Sequence, residues 1–104
     1  MRALAIGALA LVLFGQPDPV QPPDVIVQLA LNAAAAQLGL TMDDVVVTTV
    51  SETDWPDASL GCPQPDMAYA QIVTPGWLVT VDTVDATAEE VQIHTDGGSR
   101  AVVC

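Results

Sequence analysis

The chain contains no lysine, and its two arginines, Arg2 and Arg100, face thirteen aspartates and glutamates, giving a net charge of −11. That balance excludes nucleic acid and anionic membrane surfaces as partners, because phosphate contacts require cations that this chain lacks. An acidic surface favours solubility and would repel other acids. Aromatic residues are scarce: Phe14, Trp55, Tyr69 and Trp77 are all there are. Also missing are a C-x-x-C redox pair, a G-x-S-x-G nucleophile turn, an EF-hand loop and a phosphate-binding glycine loop. Each absence removes a class of chemistry that depends on that spacing.

Long hydrophobic runs are missing too. The apolar stretch at residues 3–14 has twelve residues, well short of the roughly 20 a bilayer-spanning helix needs. Behind Arg2 it reads as a signal peptide over residues 1–15, although no A-x-A cleavage triplet follows. An uncleaved anchor is the competing reading. Residues 16–23 (QPDPVQPP) hold four prolines and read as an extended linker, leaving a single domain at residues 24–104. With the leader gone, the thirteen acids face Arg100 alone, for a net charge of −12.

Two cysteines are present, Cys62 and Cys104. In an exported protein an even count points to a disulfide rather than to metal or redox work. Closing so long a loop stabilises a small domain by roughly 4 kcal/mol through lost unfolded-state entropy. The expected location is secreted, periplasmic or in the cell envelope.

Asp24 is placed to cap a helix over VIVQLALNAAAAQL, with Gly39 as its stop. Val27, Leu31, Ala34 and Leu38 form an apolar stripe, with Ile26, Ala30 and Ala33 beside it. The four consecutive alanines suggest close packing on a flat sheet. Thr41 would cap a single turn carrying Asp43 and Asp44. Residues 45–50 form a β-branched strand. Residues 69–84 read as a hairpin about a Pro75-Gly76 turn, and residues 91–95 alternate as another strand. Asp96-Gly97-Gly98 then turns the chain into AVVC. The expected fold is α+β: one N-terminal helix on a four- to five-stranded antiparallel sheet, closed by one disulfide.

Residues 55–77, WPDASLGCPQPDMAYAQIVTPGW, concentrate the unusual residue types. His94 is the sole histidine, and with Ser51 or Ser59 it is the only base available to a hydrolase. A strand-surface histidine is the simpler reading. Asp54, Asp57 and Asp66 crowd one loop without calcium-loop spacing, so no metal or cofactor is expected; Asp57 suits a turn cap. Trp55, Tyr69 and Trp77 form either a buried cluster or a partly exposed patch for a protein partner.

The same phrase resembles a group of small exported bacterial proteins sharing W-P-D-x-S-L-G-C-P-x-P-G-x-x-Y-x-Q-x-x-T-P-G, a late Y-x-Y-H-T-D and a final cysteine. Trp55, Pro56, Asp57, Ser59, Leu60, Gly61, Cys62, Pro63, Pro65, Tyr69, Gln71, Thr74, Pro75 and Gly76 fall at matching positions. Asp66 departs from a glycine and Gln92 from an aromatic. If that glycine has positive φ, Asp66 is a tolerable but costlier occupant. The resemblance implies a bacterial exported context and no assigned activity. A looser likeness in layout is to PepSY-type modules, a helix before a small antiparallel sheet, which are associated with inhibiting or chaperoning exported peptidases.

The expectation is a monomeric, non-enzymatic binding or inhibitory module without nucleic-acid or membrane partners once the leader is removed. Its contact residues would be Trp55, Asp57, Ser59, Leu60, Gly61, Pro63, Tyr69 and Trp77, with loop 59–63 occupying a protease cleft. A structural envelope protein and a small hydrolase using His94 are the alternatives.

Overall fold

A computed structural model describes residues 21–104. The expected leader, and the linker up to residue 20, lie outside them. Helix α1 runs Asp24–Leu38. Its N-cap is Pro23, not Asp24: the Pro23 carbonyl accepts from the Ile26 and Val27 amides at 2.9 and 3.4 Å. Asp24 is instead the first helical residue, where its carboxylate complements the positive end of the helix dipole. Gly39 adopts φ 70°, ψ 30°. The Leu40 amide then donates to the Ala35 carbonyl at 2.9 Å, the closure that a left-handed residue after a helix makes possible.

A short 3-10 turn, Met42–Asp44, follows, and the Asp44 carboxylate accepts from both the amide and the hydroxyl of Thr41 at 3.1 and 2.9 Å. The chain then lays down four antiparallel strands in sequence order: β1 (Val45–Trp55), β2 (Thr74–Thr83), β3 (Val91–Thr95) and β4 (Ala101–Val103). A bulge between Val47 and Thr49 inserts Thr48, whose hydroxyl donates to the Thr80 carbonyl at 3.3 Å. It shifts the alternation, so Val45 and Val47 before it and Val50 after it all pack against the helix-side core.

Two strand expectations are corrected. β1 reaches Trp55 rather than ending at Val50, and the predicted 69–84 hairpin does not form. Pro75 and Gly76 lie inside β2, whose partner is β1, and residues 69–73 are irregular. Gly76 is needed for close approach rather than for a turn. A Cβ there would collide with the Thr95 carbonyl and sit 2.8 Å from the Trp55 Nε1.

The core lies between helix and sheet. Ile26, Ala30, Ala34 and Ala35 meet Val45, Val79, Val81, Val91 and Ile93, all buried. The seam is thus the 26–30–34 row, one residue away from the expected Val27 stripe, with Leu31 and Leu38 at its margin. Alanines let the helix approach the sheet closely, and each fully buried Val or Ile stabilises the fold by about 1.5–3 kcal/mol. One disulfide, Cys62–Cys104, closes the domain.

Candidate functional site: a tryptophan-centred clasp and the segment above it

β1 ends at Trp55, and residues 56–73 connect it to β2. Ile93 belongs to the helix-side core, so strand alternation turns its neighbour His94 to the opposite sheet face. There Trp55 stacks on His94, with ring centroids 4.5 Å apart and planes 10° from parallel. The indole Nε1–H donates to the Thr95 carbonyl at 2.8 Å, leaving Trp55 only 7% exposed.

Gly61 lies against the indole. A Cβ at that position would sit 2.8 Å from two carbons of the six-membered ring, and its φ of +73° is one that L side chains rarely adopt. Leu60, at φ 59°, is fully buried. A non-glycine residue held there marks a locally over-determined backbone. Its carbonyl meets His94 Nδ1 at 2.7 Å. A carbonyl only accepts, so Nδ1 carries a proton and donates it to this bond.

Asp57 organises the turn into Leu60. Its Oδ1 accepts from the Ser59 amide at 2.9 Å and from the Ser59 hydroxyl. Those bonds, the hydroxyl first, hold its carboxyl below the usual carboxylate range. The Cys62 amide donates to the Ser59 carbonyl at 3.1 Å, and the Cys62 sulfur is bonded to that of Cys104, whose own amide donates to the Gln92 carbonyl at 3.0 Å. From the other side, Arg100 Nη1 donates to the Ala58 carbonyl at 2.9 Å.

The Arg100 backbone is fixed by Asp96, whose carboxylate accepts from the amides of Gly98, Ser99 and Arg100 and from the Ser99 hydroxyl. Partial burial pushes the Asp96 carboxyl up, but these four donors outweigh it and hold it far below its ordinary value. The 96–100 turn and the 57–62 turns therefore form one clasp over the end of the sheet.

Beyond the clasp the chain changes character. The Tyr69 hydroxyl accepts from the Gln64 amide at 3.0 Å and donates to the Met67 sulfur at 3.7 Å. The Ala58 amide donates to the Ala70 carbonyl at 3.0 Å. Asp66 sits at φ 64°, the conformation expected of a glycine replacement there. Met67, Ile72 and Val73 are each more than 60% exposed.

Of the residues singled out from the sequence, Trp55, Ser59 and Leu60 are buried, Asp57 and Tyr69 are half-buried, and Gly61 and Pro63 are exposed. Trp77 packs with the core on the helix side, so it is not part of one cluster with Trp55. The Ser59 hydroxyl donates to Asp57, while Ser51 pairs with Leu78 and Leu78 with His94, which sets a strand between the two. Among the described residues no three His, Cys, Asp or Glu side chains group as metal ligands, and no helix is long and apolar enough to cross a membrane.

Sequence reasoning placed the turn at Asp96-Gly97-Gly98 but missed the Trp55–His94 stack and the Asp96 carboxylate's part in holding that turn. The stack joins residues 39 positions apart in sequence across three strands, and no local spacing announces it. Aspartate opening the D-G-G-S run at residues 96–99 was the available signal for that carboxylate's role, since such a side chain bonds the backbone amides that follow it.

No curated protein and no solved structure matches this chain. A family model does, over residues 27–104, which takes in all but the first three residues of the helix, all four strands and both cysteines: the chain belongs to the family described as Domain of unknown function (DUF8738).

Proposed function

We propose that this protein is an exported, non-enzymatic protein-binding module of the bacterial envelope or medium, and that its contact surface is the segment at residues 63–73. One observation carries the reading. The clasp turns Trp55, Ser59 and Leu60 inward, whereas the segment held above it presents Met67, Ile72 and Val73 to solvent. Exposed apolar side chains carried on a pre-organised base suit a protein contact site, because little ordering entropy is lost on binding. Met67 adds an adaptable thioether to that surface. The disulfide supports an oxidising compartment.

Protease inhibition is the leading form of this activity. With the side chains of Ser59 and Leu60 directed into the domain, the element offered to a cleft is residues 63–73 rather than Ser59 and Leu60. The test is capture from the secreted fraction of the producing cells, alongside inhibition assays with subtilisin-like and papain-like proteases. Capture or inhibition abolished by Met67→Asp with Ile72→Asp, at unchanged thermal stability, supports the reading. Capture and inhibition that are absent or unaffected by these changes overturn it.

A purely structural envelope role is the second reading. It is favoured by the clasp, in which Trp55, Asp57, Ser59, Leu60 and His94 all serve intramolecular contacts.

A further inference from the structure

β1 is an outer strand of the sheet, and among the described residues no strand pairs with its far side. Alternate N–H and C=O groups of such a strand point away from the sheet and are open to a further partner. Natural edges are blunted by brevity, lysine or proline. VVVTTVSETDW is 11 residues long and has neither lysine nor proline. Its bulge lies at Val47/Thr49, and from Thr49 to Trp55 the register is regular. That second half is a continuous template in which Thr49, Val50 and Thr53 are β-branched.

What it bears instead is charge. Glu52 and Asp54 are exposed, lie on one face of the strand, and pair in register with Trp77 and Pro75. With the half-buried Trp77 and with Gly97 they line a shallow depression of about 210 Å³. A guanidinium or ammonium group seated there would meet two carboxylates and an indole. Arg100, the one Arg or Lys among the described residues, is engaged with the Ala58 carbonyl. The counter-charge must come from elsewhere.

The same charges select the occupant. A second copy pairing antiparallel about Thr53 would place Glu52 opposite Asp54, and like charges directly opposed destabilise a strand pair. The sheet's other outer strand, β4, has only three residues, too few to lie along the regular half of β1.

We propose that residues 49–55 of β1 receive an extended, cationic segment of a partner protein as a fifth strand, with an Arg or Lys side chain in the depression beside Trp77. Main-chain hydrogen bonds supply the affinity and the acidic pair supplies the selectivity, as in strand addition generally. This surface is distinct from residues 63–73, so either site can fail alone.

The test is an NMR titration of the oxidised full chain with a blocked peptide of about nine residues, enough to lie along the regular half of β1. The peptide alternates threonine and valine and carries arginine at two alternate positions. The expected result is amide shifts confined to residues 49–55, lost when the peptide amides that pair with β1 are N-methylated. At low salt the affinity should fall about tenfold in Glu52→Gln with Asp54→Asn. Shifts centred on residues 63–73, no shifts at millimolar peptide, unaltered binding of the N-methylated peptide, or unchanged affinity in the double variant would each overturn the proposal. So would sedimentation showing that the free chain already pairs through this edge.

Discussion

Residues 56–62 and residues 63–73 belong to one connection between the same two strands, yet they fold by opposite rules. In the first, nearly every polar group is directed inward: Asp57 to Ser59, the Leu60 carbonyl to His94, and Cys62 to Cys104. In the second, few contacts reach the rest of the domain, and three large apolar side chains face water. The difference shows that rigidity here comes from long-range partners rather than from proline content. Two of the three prolines, Pro63 and Pro65, sit in the exposed half, whereas the buried half, with Pro56 alone, is held by a tryptophan, a histidine and a disulfide.

Loss of the bridge should have the largest effect on the two halves. Cys62→Ser with Cys104→Ser should lower stability by about 4 kcal/mol in calorimetry, from the loop-closure entropy of a 42-residue separation. It should also release β4, visible as fast amide exchange at Val102 and Val103. A loss well under 1 kcal/mol would mean that the Trp55 stack alone holds the clasp.

Trp55→Phe is a finer probe. It retains an aromatic ring beside His94 but leaves the carbonyl of the fully buried Thr95 without its indole donor. A cost of about 2 kcal/mol is expected in urea unfolding, the penalty of one orphaned buried acceptor. An unchanged midpoint would place the weight on stacking rather than on the hydrogen bond.

Acid should act on the clasp before it acts on the helix-side core. Asp96 and Asp57 both have carboxyls lowered from 3.8 in the folded state, so each binds a proton more readily when unfolded. Their stabilisation is complete above that value and is lost as pH falls through it toward the folded-state values. Thermal midpoints should therefore drop below about pH 4. Asp96→Asn should flatten the drop the most, because Asp96 is the partly buried one with four donors. A pH profile identical to that of the parent would remove Asp96 from the clasp.

The smallest effect belongs to the exposed segment. Met67→Ala, Ile72→Ala and Val73→Ala should each change stability by less than about 0.5 kcal/mol in urea unfolding, as substitutions at sites this exposed do. Larger losses would show that the segment is part of the fold rather than a surface presented by it.

Much of the architecture was legible along the chain. The helix ending at Gly39, the strand at residues 91–95, the closing AVV strand and the Cys62–Cys104 pair follow from local patterns, because periodicity, glycine stops and an even cysteine count act over short distances or by elimination. Pro75-Gly76 misled, since the same dipeptide that makes a tight turn also suits a strand where a neighbouring carbonyl leaves no room for a Cβ. The functional reading of Ser59 and Leu60 rested on proline-framed rigidity, and nothing in their neighbours in sequence marks them as buried.

Composition alone set the acidity, the lack of cations and the need for a covalent staple in a small domain, since these depend on counts and not on arrangement. Which face Trp55 covers, which residue moves to solvent in its place, and which strand is left at the edge were decided only when four strands came together. Those outcomes turn on steric contact between residues tens of positions apart, and no short-range pattern carries that information.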